Sequence, residues 1–202
     1  MTQSPPNHTN NPSSAEVHFL QEKTITLKKL PASGWILDVG GGGEGVIGQL
    51  EGNRVVAVDT SRRELEEAPP GPLKLVMDAR KLEFLDHSFA AATCFFSLMF
   101  ISPDDHPKVL QEIHRVLKPG GKFYLWEVDL PARSASSPDL IAVRLTIQLP
   151  DREVRTGYGT RWPKKQLGLD HYRSAAAEVG FRLESSWSQE GIFQLTFSKV
   201  DH

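Results

Sequence analysis

Residues 36–50 read ILDVGGGGEGVIGQL, and the fold follows from this stretch. A short apolar run, WILDV, enters four consecutive glycines at 40–43, and helical spacing resumes near Val46. Glycines lose more conformational entropy on ordering than any other residue, so a run of them between a strand and a helix needs a cause. The cause expected here is close approach. Without Cβ atoms, backbone N–H groups at a helix start reach a ligand directly. Gly40, Gly42 and Gly45 satisfy G-x-G-x-x-G, and Asp59 ends the next strand, RVVAVD, 19 residues beyond Gly40.

Working outward, strands and helices alternate. Ser61 is placed to cap a helix over RRELEEA, which Pro69 and Pro70 stop. KLVMD is a third strand ending at Asp78, and FAAATCFFSL a fourth. PKVLQEIHRVLK is an amphipathic helix with Val109, Leu110, Ile113, Val116 and Leu117 on its apolar face. Pro119, Gly120 and Gly121 turn into a fifth strand, KFYLWEV. This alternation predicts a parallel sheet with helices on both faces, whose ligand sits beyond the carboxyl ends of the strands where the strand order reverses. Gly40, Asp59, Asp78 and Ser97 fall at those ends.

The flanks are less regular. Residues 1–16 are rich in Asn, Pro and Ser and are expected to be a disordered tail, with a single domain over 17–202. Residues 17–30 place Phe19, Leu20, Lys23, Leu27 and Leu30 at helical spacing and predict an amphipathic helix. IAVRLTIQL is apolar at every odd position and EVRTGYGTRW follows a Pro-Asp-Arg turn, which predicts a β-hairpin inserted after the fifth strand. Asp170 is placed to cap a helix, HYRSAAAEV, before two final antiparallel strands, FRLESSW and IFQLTFSKV.

Bulk properties narrow the function classes. The chain has 202 residues, 39% hydrophobic and 24% charged, with a net charge of -2. A chain of this size buries roughly two-thirds of its unfolded surface and needs no disulfide or metal staple. Cys94 is the one cysteine, so neither an intrachain disulfide nor a cysteine-based zinc site is expected, and no metal is assigned. Broad electrostatic capture of nucleic acid is disfavoured by the charge. No run reaches the ~18 apolar residues of a membrane span, and the N-terminus lacks a secretory pattern; a cytoplasmic setting is expected.

The glycine loop alone fits two adenosine-containing ligands, a nicotinamide dinucleotide or S-adenosylmethionine. Asp38, two residues before Gly40, suits an ammonium better than a pyrophosphate. Asp78-Ala79 suits an adenine amino group, and 202 residues leave little room for a hydride-acceptor domain. At this point ILDVGGGG, VVAVD, VMDARKLEF, SFAAATCFFSLMFI and VLQEIHRVLKPGGKFYLWE together resemble the successive motifs of class I S-adenosylmethionine-dependent methyltransferases, particularly the UbiE/COQ5-like and type 11 groups. The resemblance covers about residues 36–129. It implies a Rossmann-like three-layer α/β/α sandwich, with a mostly parallel seven-stranded sheet, an antiparallel strand near the C-terminus and the inserted hairpin.

The resemblance also implies residue roles. Asp38, Gly40, Gly42 and Gly43 would line the methionyl end of the cofactor. Asp59 would accept from the ribose hydroxyls with Thr60 beside it, Asp78 and Ala79 would hold adenine, and Phe96 and Ser97 would close the site. S-adenosylhomocysteine would be the product and a small molecule the methyl acceptor. Glu44 departs from the pattern, which has glycine there; it either projects away or adds a second carboxylate near the methionyl carboxylate. A nicotinamide-dependent oxidoreductase and a non-catalytic cofactor-binding module stay open as alternatives.

Methyl transfer from a sulfonium needs mainly positioning and exclusion of water, and a general base only when the acceptor must lose a proton. Glu127, Asp129, His106 and Tyr158 are the candidates for such work. Plainer roles compete: solvated strand-end acids, a surface-loop histidine and an aromatic covering the core. Cys94 is expected to be a small core residue, and His87 a turn residue. FFSLMF after the fourth strand lacks the Asn/Asp-Pro-Pro-aromatic motif of amine methylation on adenine, and Cys94 lacks the preceding proline of cytosine methylation. Residues 133–165 carry seven basic residues against three acids, +4, and are expected to form the acceptor lid. That charge either favours an anionic acceptor or is a solvated outer face.

Overall fold

A computed structural model describes residues 16–200; the tail expected at 1–16 lies, Glu16 apart, outside the described residues. The strands are β1 (Val17–Phe19), β2 (Lys23–Thr26), β3 (Ile36–Val39), β4 (Val55–Asp59), β5 (Leu73–Val76), β6 (Phe89–Phe95), β7 (Leu117–Val128), β8 (Leu140–Gln148), β9 (Glu153–Arg161), β10 (Phe181–Gln189) and β11 (Ile192–Lys199). The helices are α1 (Val46–Glu51), α2 (Arg62–Glu67), α3 (His106–Val116) and α4 (Leu169–Glu178).

The main sheet has seven strands in the order β10-β11-β7-β6-β3-β4-β5. The run from β7 to β5 is parallel, and β11 is antiparallel to both neighbours. From β3 the chain moves outward through β4 to β5, then returns to β6 on the other side of β3. The order therefore reverses between β3 and β6, the place where such sheets open a crevice. Every residue of β3 is buried, the apolar run expected of a central parallel strand covered on both faces.

Two cores lie on the two faces. On one, Val109, Leu110, Ile113 and Val116 of α3, with Tyr172, Ala175 and Ala176 of α4, cover Leu37, Val39, Val58, Cys94 and Leu125. Each such fully buried apolar side chain contributes about 1.5–3 kcal/mol. On the opposite face, α1 and Leu65 of α2 share a core with a second small sheet. That sheet is centred on β8. β9 pairs antiparallel with one edge of it, as the hairpin pattern predicted, while β1 and β2 lie end to end along the other and run parallel to it.

The helix predicted over 17–30 is therefore wrong. The strand periodicity there is carried by Ile25 and Leu27, buried into the core, alternating with exposed Thr24 and Thr26. Lys23 to Leu27 is also β-branched at three consecutive positions, which favours a pleated surface. The pairing partner lies more than 100 residues away (Val17 faces Leu140), so the strand becomes evident only in three dimensions. A buried clamp ties this strand to the main domain: Glu51 accepts from the Leu30 N–H and pairs with Arg54 at 2.6 Å, while Arg54 donates to the Ala32 carbonyl and, at 3.1 Å, to that of Leu30.

Smaller expectations resolve individually. Ser61 caps α2, its side chain accepting from the Glu64 N–H. Asp170 does not cap α4: Gly168 precedes the helix, and Asp170 sits in the first turn paired with Arg173 at 2.9 Å. The Pro-Gly-Gly stretch is a bulge inside β7, because Leu117 already pairs with Phe89 before the register shifts to Ala91 with Lys122. No helix among the described residues is long and apolar enough to cross a membrane.

Candidate functional site

A cleft of about 760 Å³ opens at the carboxyl ends of β3, β4, β5 and β6. Its walls include Gly40, Gly42 and Gly43 after β3, Asp59 and Thr60 after β4, Asp78 and Ala79 after β5, and Phe96 and Ser97 after β6. Nine residues expected at a single site from sequence are thus brought together. The tenth, Asp38, is not on the wall.

The loop between β3 and α1 packs against the protein more than expected. A Cβ at Gly40, whose φ is +77°, would meet the Ser97 Cβ at 2.4 Å, and one at Gly42 would meet the Glu64 Cβ at 2.6 Å. The N–H groups of Gly40 and Gly41 both donate to the Val58 carbonyl, and that of Gly43 to the Glu64 carbonyl. The expectation that these amides reach a ligand is therefore corrected for Gly40, Gly41 and Gly43. Among the described residues, the N–H groups of Gly42 and Glu44 are the two in this run without a protein acceptor.

Asp38 lies beneath this loop. It is 2% exposed, and a Cβ on Gly41 would sit 2.6 Å from its Oδ2. Thr93 Oγ1 donates to its Oδ1 at 2.7 Å. Burial raises its pKa to about 7, against the Thr93 hydrogen bond and with a contribution from the Asp59 charge. Asp38 thus supports the loop from below and is off the cleft wall.

Asp59 is partly engaged. Its Oδ1 accepts from the Ser61 N–H at 2.8 Å, which turns the chain into α2, while Oδ2 faces Gly42 across the cleft. Asp78 is held by Arg80 through both carboxylate oxygens, and the Arg80 side-chain hydrogen bond draws its pKa below the ordinary value. Arg80 also donates to Asp105 at 3.0 Å. Ser97 Oγ donates to the Val39 carbonyl at 2.7 Å and joins the ends of β6 and β3. Phe96 holds a φ of +51°, a conformation that non-glycine residues keep only under tight surroundings. Its ring stacks on Tyr158 at 5.4 Å and 9°, and Phe100 meets Tyr158 edge-on.

Of the four candidates for proton handling, Tyr158 alone lines the cleft. Burial raises its hydroxyl pKa, with Glu44 the next contributor. Glu127 is fully buried, not solvated. Its Oε1 accepts from the Met99 N–H at 3.1 Å and anchors the turn that follows Phe96. Burial lifts its pKa to about 8. His106 is likewise buried rather than in a surface loop. Its Nε2 lies 3.0 Å from the Leu98 carbonyl, its Nδ1 lies 2.9 Å from His171 Nε2, and burial lowers its pKa. Asp129 is exposed and bonded to Gln166, away from the cleft. Cys94 is a buried core residue, and His87 sits in a left-handed turn.

The cleft wall also holds residues that sequence reasoning did not assign: Glu64, Met77, Arg80, Phe100, Ile101 and Asp105. Glu64 was legible in part, as it lies in the first turn of the helix Ser61 caps. The others depend on how the segments after β5 and β6 fold back. The basic residues of 133–165 take the outer-face reading. Arg133, Arg152 and Arg155 pair with Asp139, Asp151 and Glu153, Arg144 lies over the Phe19 ring, and none of them lines the cleft.

Residues 37–125 match the family model described as Methyltransferase domain. Over this stretch, less than half of the chain, the protein is similar to the methyltransferase domain family. A ubiquinone/menaquinone biosynthesis C-methyltransferase UbiE from Desulfotalea psychrophila is 34% identical over 117 residues, covering 54% of this chain and 47% of that protein. A sterol 4-C-methyltransferase from Caenorhabditis elegans is 45% identical over 51 residues, 25% of this chain and 15% of that one. The chain spans about half or less of the curated relatives it matches. A solved S-adenosylmethionine-dependent methyltransferase from Methanosarcina mazei shares the fold with a TM-score of 0.62 at 17% identity, covering 86% of this chain and 99% of that one. One from Mesorhizobium loti has a TM-score of 0.60 at 17% identity over 84% and 93%.

Proposed function

We propose that this protein transfers a methyl group from S-adenosylmethionine to a small-molecule acceptor within the cleft. The observation that carries the reading is the meeting of Asp59, Asp78 and Ala79 with the glycine loop where the strand order reverses. The residues fit the cofactor. The cleft volume lies within the roughly 300–1,000 Å³ usual for ligand pockets. At Gly42 any side chain would fill the gap in front of Asp59, since a Cβ there lies 3.0 Å from Asp59 Oδ2.

When bound, the cofactor supplies an activated methyl on a sulfonium leaving group. Asp59 holds the ribose hydroxyls. Ala79, with Asp78 fixed by Arg80, holds the adenine. The free N–H group of Gly42 meets the methionyl carboxylate. Phe96, stacked on Tyr158, shields the reacting end from water, so the hairpin acts as the acceptor lid. Neither the net charge of -2 nor the acidic wall favours nucleic acid as acceptor. The cytoplasm, a reducing compartment, suits the buried free thiol of Cys94.

Calorimetry with S-adenosylhomocysteine tests the reading. The intact protein is expected to bind it, and Asp59→Ala to bind about 10–100-fold more weakly, the loss of a charge-assisted hydrogen bond. Unchanged affinity in the variant would remove the assignment of the cleft.

A further inference from the structure

The acceptor end of the cleft has a chemistry of its own. The acids along the whole cleft wall are Glu44, Asp59, Glu64, Asp78 and Asp105, and the one basic side chain on it is Arg80. Arg80 is already committed to Asp78 and Asp105. Asp59 is taken by the turn into α2 and, on the proposed reading, by the ribose. Glu64 lies against the glycine loop, where a Cβ on Gly43 would meet its Oε2 at 3.1 Å. Glu44 remains: half-buried, on the wall, its carboxylate matched by no cation among the described residues.

Aromatic rings share this end. Phe96 and Tyr158 stack nearly parallel, and Phe100, 54% exposed, stands edge-on at the mouth. Phe100 and the half-buried Tyr158 present π-electron density that attracts a cation and gives a neutral group no such preference, while the buried Phe96 backs the Tyr158 ring. Carboxylate and rings therefore favour one sign of charge. The seven basic residues of the hairpin region do not offset this, because none of them lines the cleft.

We propose that the methyl acceptor is an amine, held against Phe100 and Tyr158 with the charge on its nitrogen balanced by Glu44. This inference rests on the methyl-transfer reading above. The nitrogen attacks as the free base: its lone pair forms the N–C bond while the C–S bond breaks and its electron pair goes to sulfur. One positive charge thus passes from sulfur to nitrogen, and the product leaves the cleft as an ammonium. A wall that attracts cations lowers the energy of the state in which nitrogen gains charge, which is where acceleration arises. An oxygen or carbon acceptor ends neutral after losing its proton and gains nothing lasting from such a wall.

The test uses choline, a permanent trimethylammonium cation, and 3,3-dimethylbutan-1-ol, its neutral isostere. Each is titrated by calorimetry into the full chain saturated with S-adenosylhomocysteine, for the natural protein and Glu44→Gln. Choline is expected to bind about tenfold tighter than the alcohol, with the preference falling to about twofold in Glu44→Gln while S-adenosylhomocysteine affinity stays within about twofold. Equal binding of the two probes, no binding of choline, or a preference that survives in Glu44→Gln overturns the amine assignment and leaves methyl transfer standing. Loss of S-adenosylhomocysteine affinity in Glu44→Gln overturns it too, because Glu44 would then serve the cofactor. Failure of the natural protein to bind S-adenosylhomocysteine overturns the methyl-transfer reading and this inference with it.

Discussion

Replacing Gly40 by alanine should destabilise the protein even with no ligand present. Gly40 has a φ of +77°, and a left-handed backbone costs a residue with a Cβ about 1–2 kcal/mol. The new Cβ would stand 2.4 Å from the Ser97 Cβ, far inside the roughly 3.5–4.0 Å of ordinary carbon contact. Ser97 must move, at an overpacking cost of about 1–3 kcal/mol. Its 2.7 Å hydrogen bond to the buried Val39 carbonyl then goes, for about 1 kcal/mol more. The sum is about 3–6 kcal/mol. In a domain of this size each kcal/mol lowers Tm by about 2–4 °C, so a fall of about 6–24 °C is expected. Gly52→Ala is the control: its φ is +69° and nothing lies within 4 Å of the new Cβ, so the backbone contribution acts alone. Thermal unfolding of the two apo variants by circular dichroism decides the matter. Similar Tm values for both would refute the claim that Gly40 is demanded by Ser97.

Further outcomes follow from the buried acids. Asp38 and Glu127 have folded-state pKa values raised to about 7 and about 8, so the folded chain keeps protons the unfolded chain has released. Stability should therefore fall as pH rises from about 4 to about 8. Glu127→Gln keeps the acceptor for the Met99 N–H and should shrink the difference in urea-derived stability between pH 5 and pH 8.5 by a few kcal/mol; an unchanged difference rejects the role given to Glu127. Thr93→Val removes the hydrogen bond that favours ionised Asp38, so its cost, about 1–3 kcal/mol, should be larger at pH 8.5 than at pH 5. A cost independent of pH would show that Asp38 stays in one protonation state. Glu51→Ala leaves the Leu30 N–H and Arg54 without their buried carboxylate and should lower stability by about 2–4 kcal/mol, with faster hydrogen exchange at β2. Exchange unchanged at β2 would mean that the clamp does not hold the strand.

The parallel sheet was legible because its signals are local. Each strand of β3 to β7 is an apolar run ending in a polar or glycine residue, and α2 and α3 show their cap and apolar face directly. Asp59, Asp78, Ala79, Phe96 and Ser97 meet on one cleft wall for the same reason, as the ends of such strands converge by topology alone. Non-local pairing was not legible. Residues 17–27 satisfy a helical spacing through Phe19, Leu20, Lys23 and Leu27 and a strand spacing through Ile25 and Leu27, and contact with β8 decides between them. The depth of a polar side chain was illegible too. Glu127 and His106 look like strand-end and loop residues, yet both are covered by elements distant in sequence, Phe193 lying opposite Glu127 in the sheet and Tyr172 stacking on His106. Asp38 was expected one layer too high because the amides of Gly40 and Gly41 turn inward to Val58.

The pairing of Val17 with Leu140 has a bearing on biosynthesis. At about 5–20 residues per second, a ribosome that has just made Val17 needs about 6–25 s more to reach Leu140. Throughout that interval the nascent segment bearing Ile25 and Leu27 lacks its partner strand and stays open to chaperones or to neighbouring nascent chains. Slower elongation lengthens this exposure, so the yield of folded protein in a cell should depend on translation speed ahead of codon 140 more than on anything within the glycine loop.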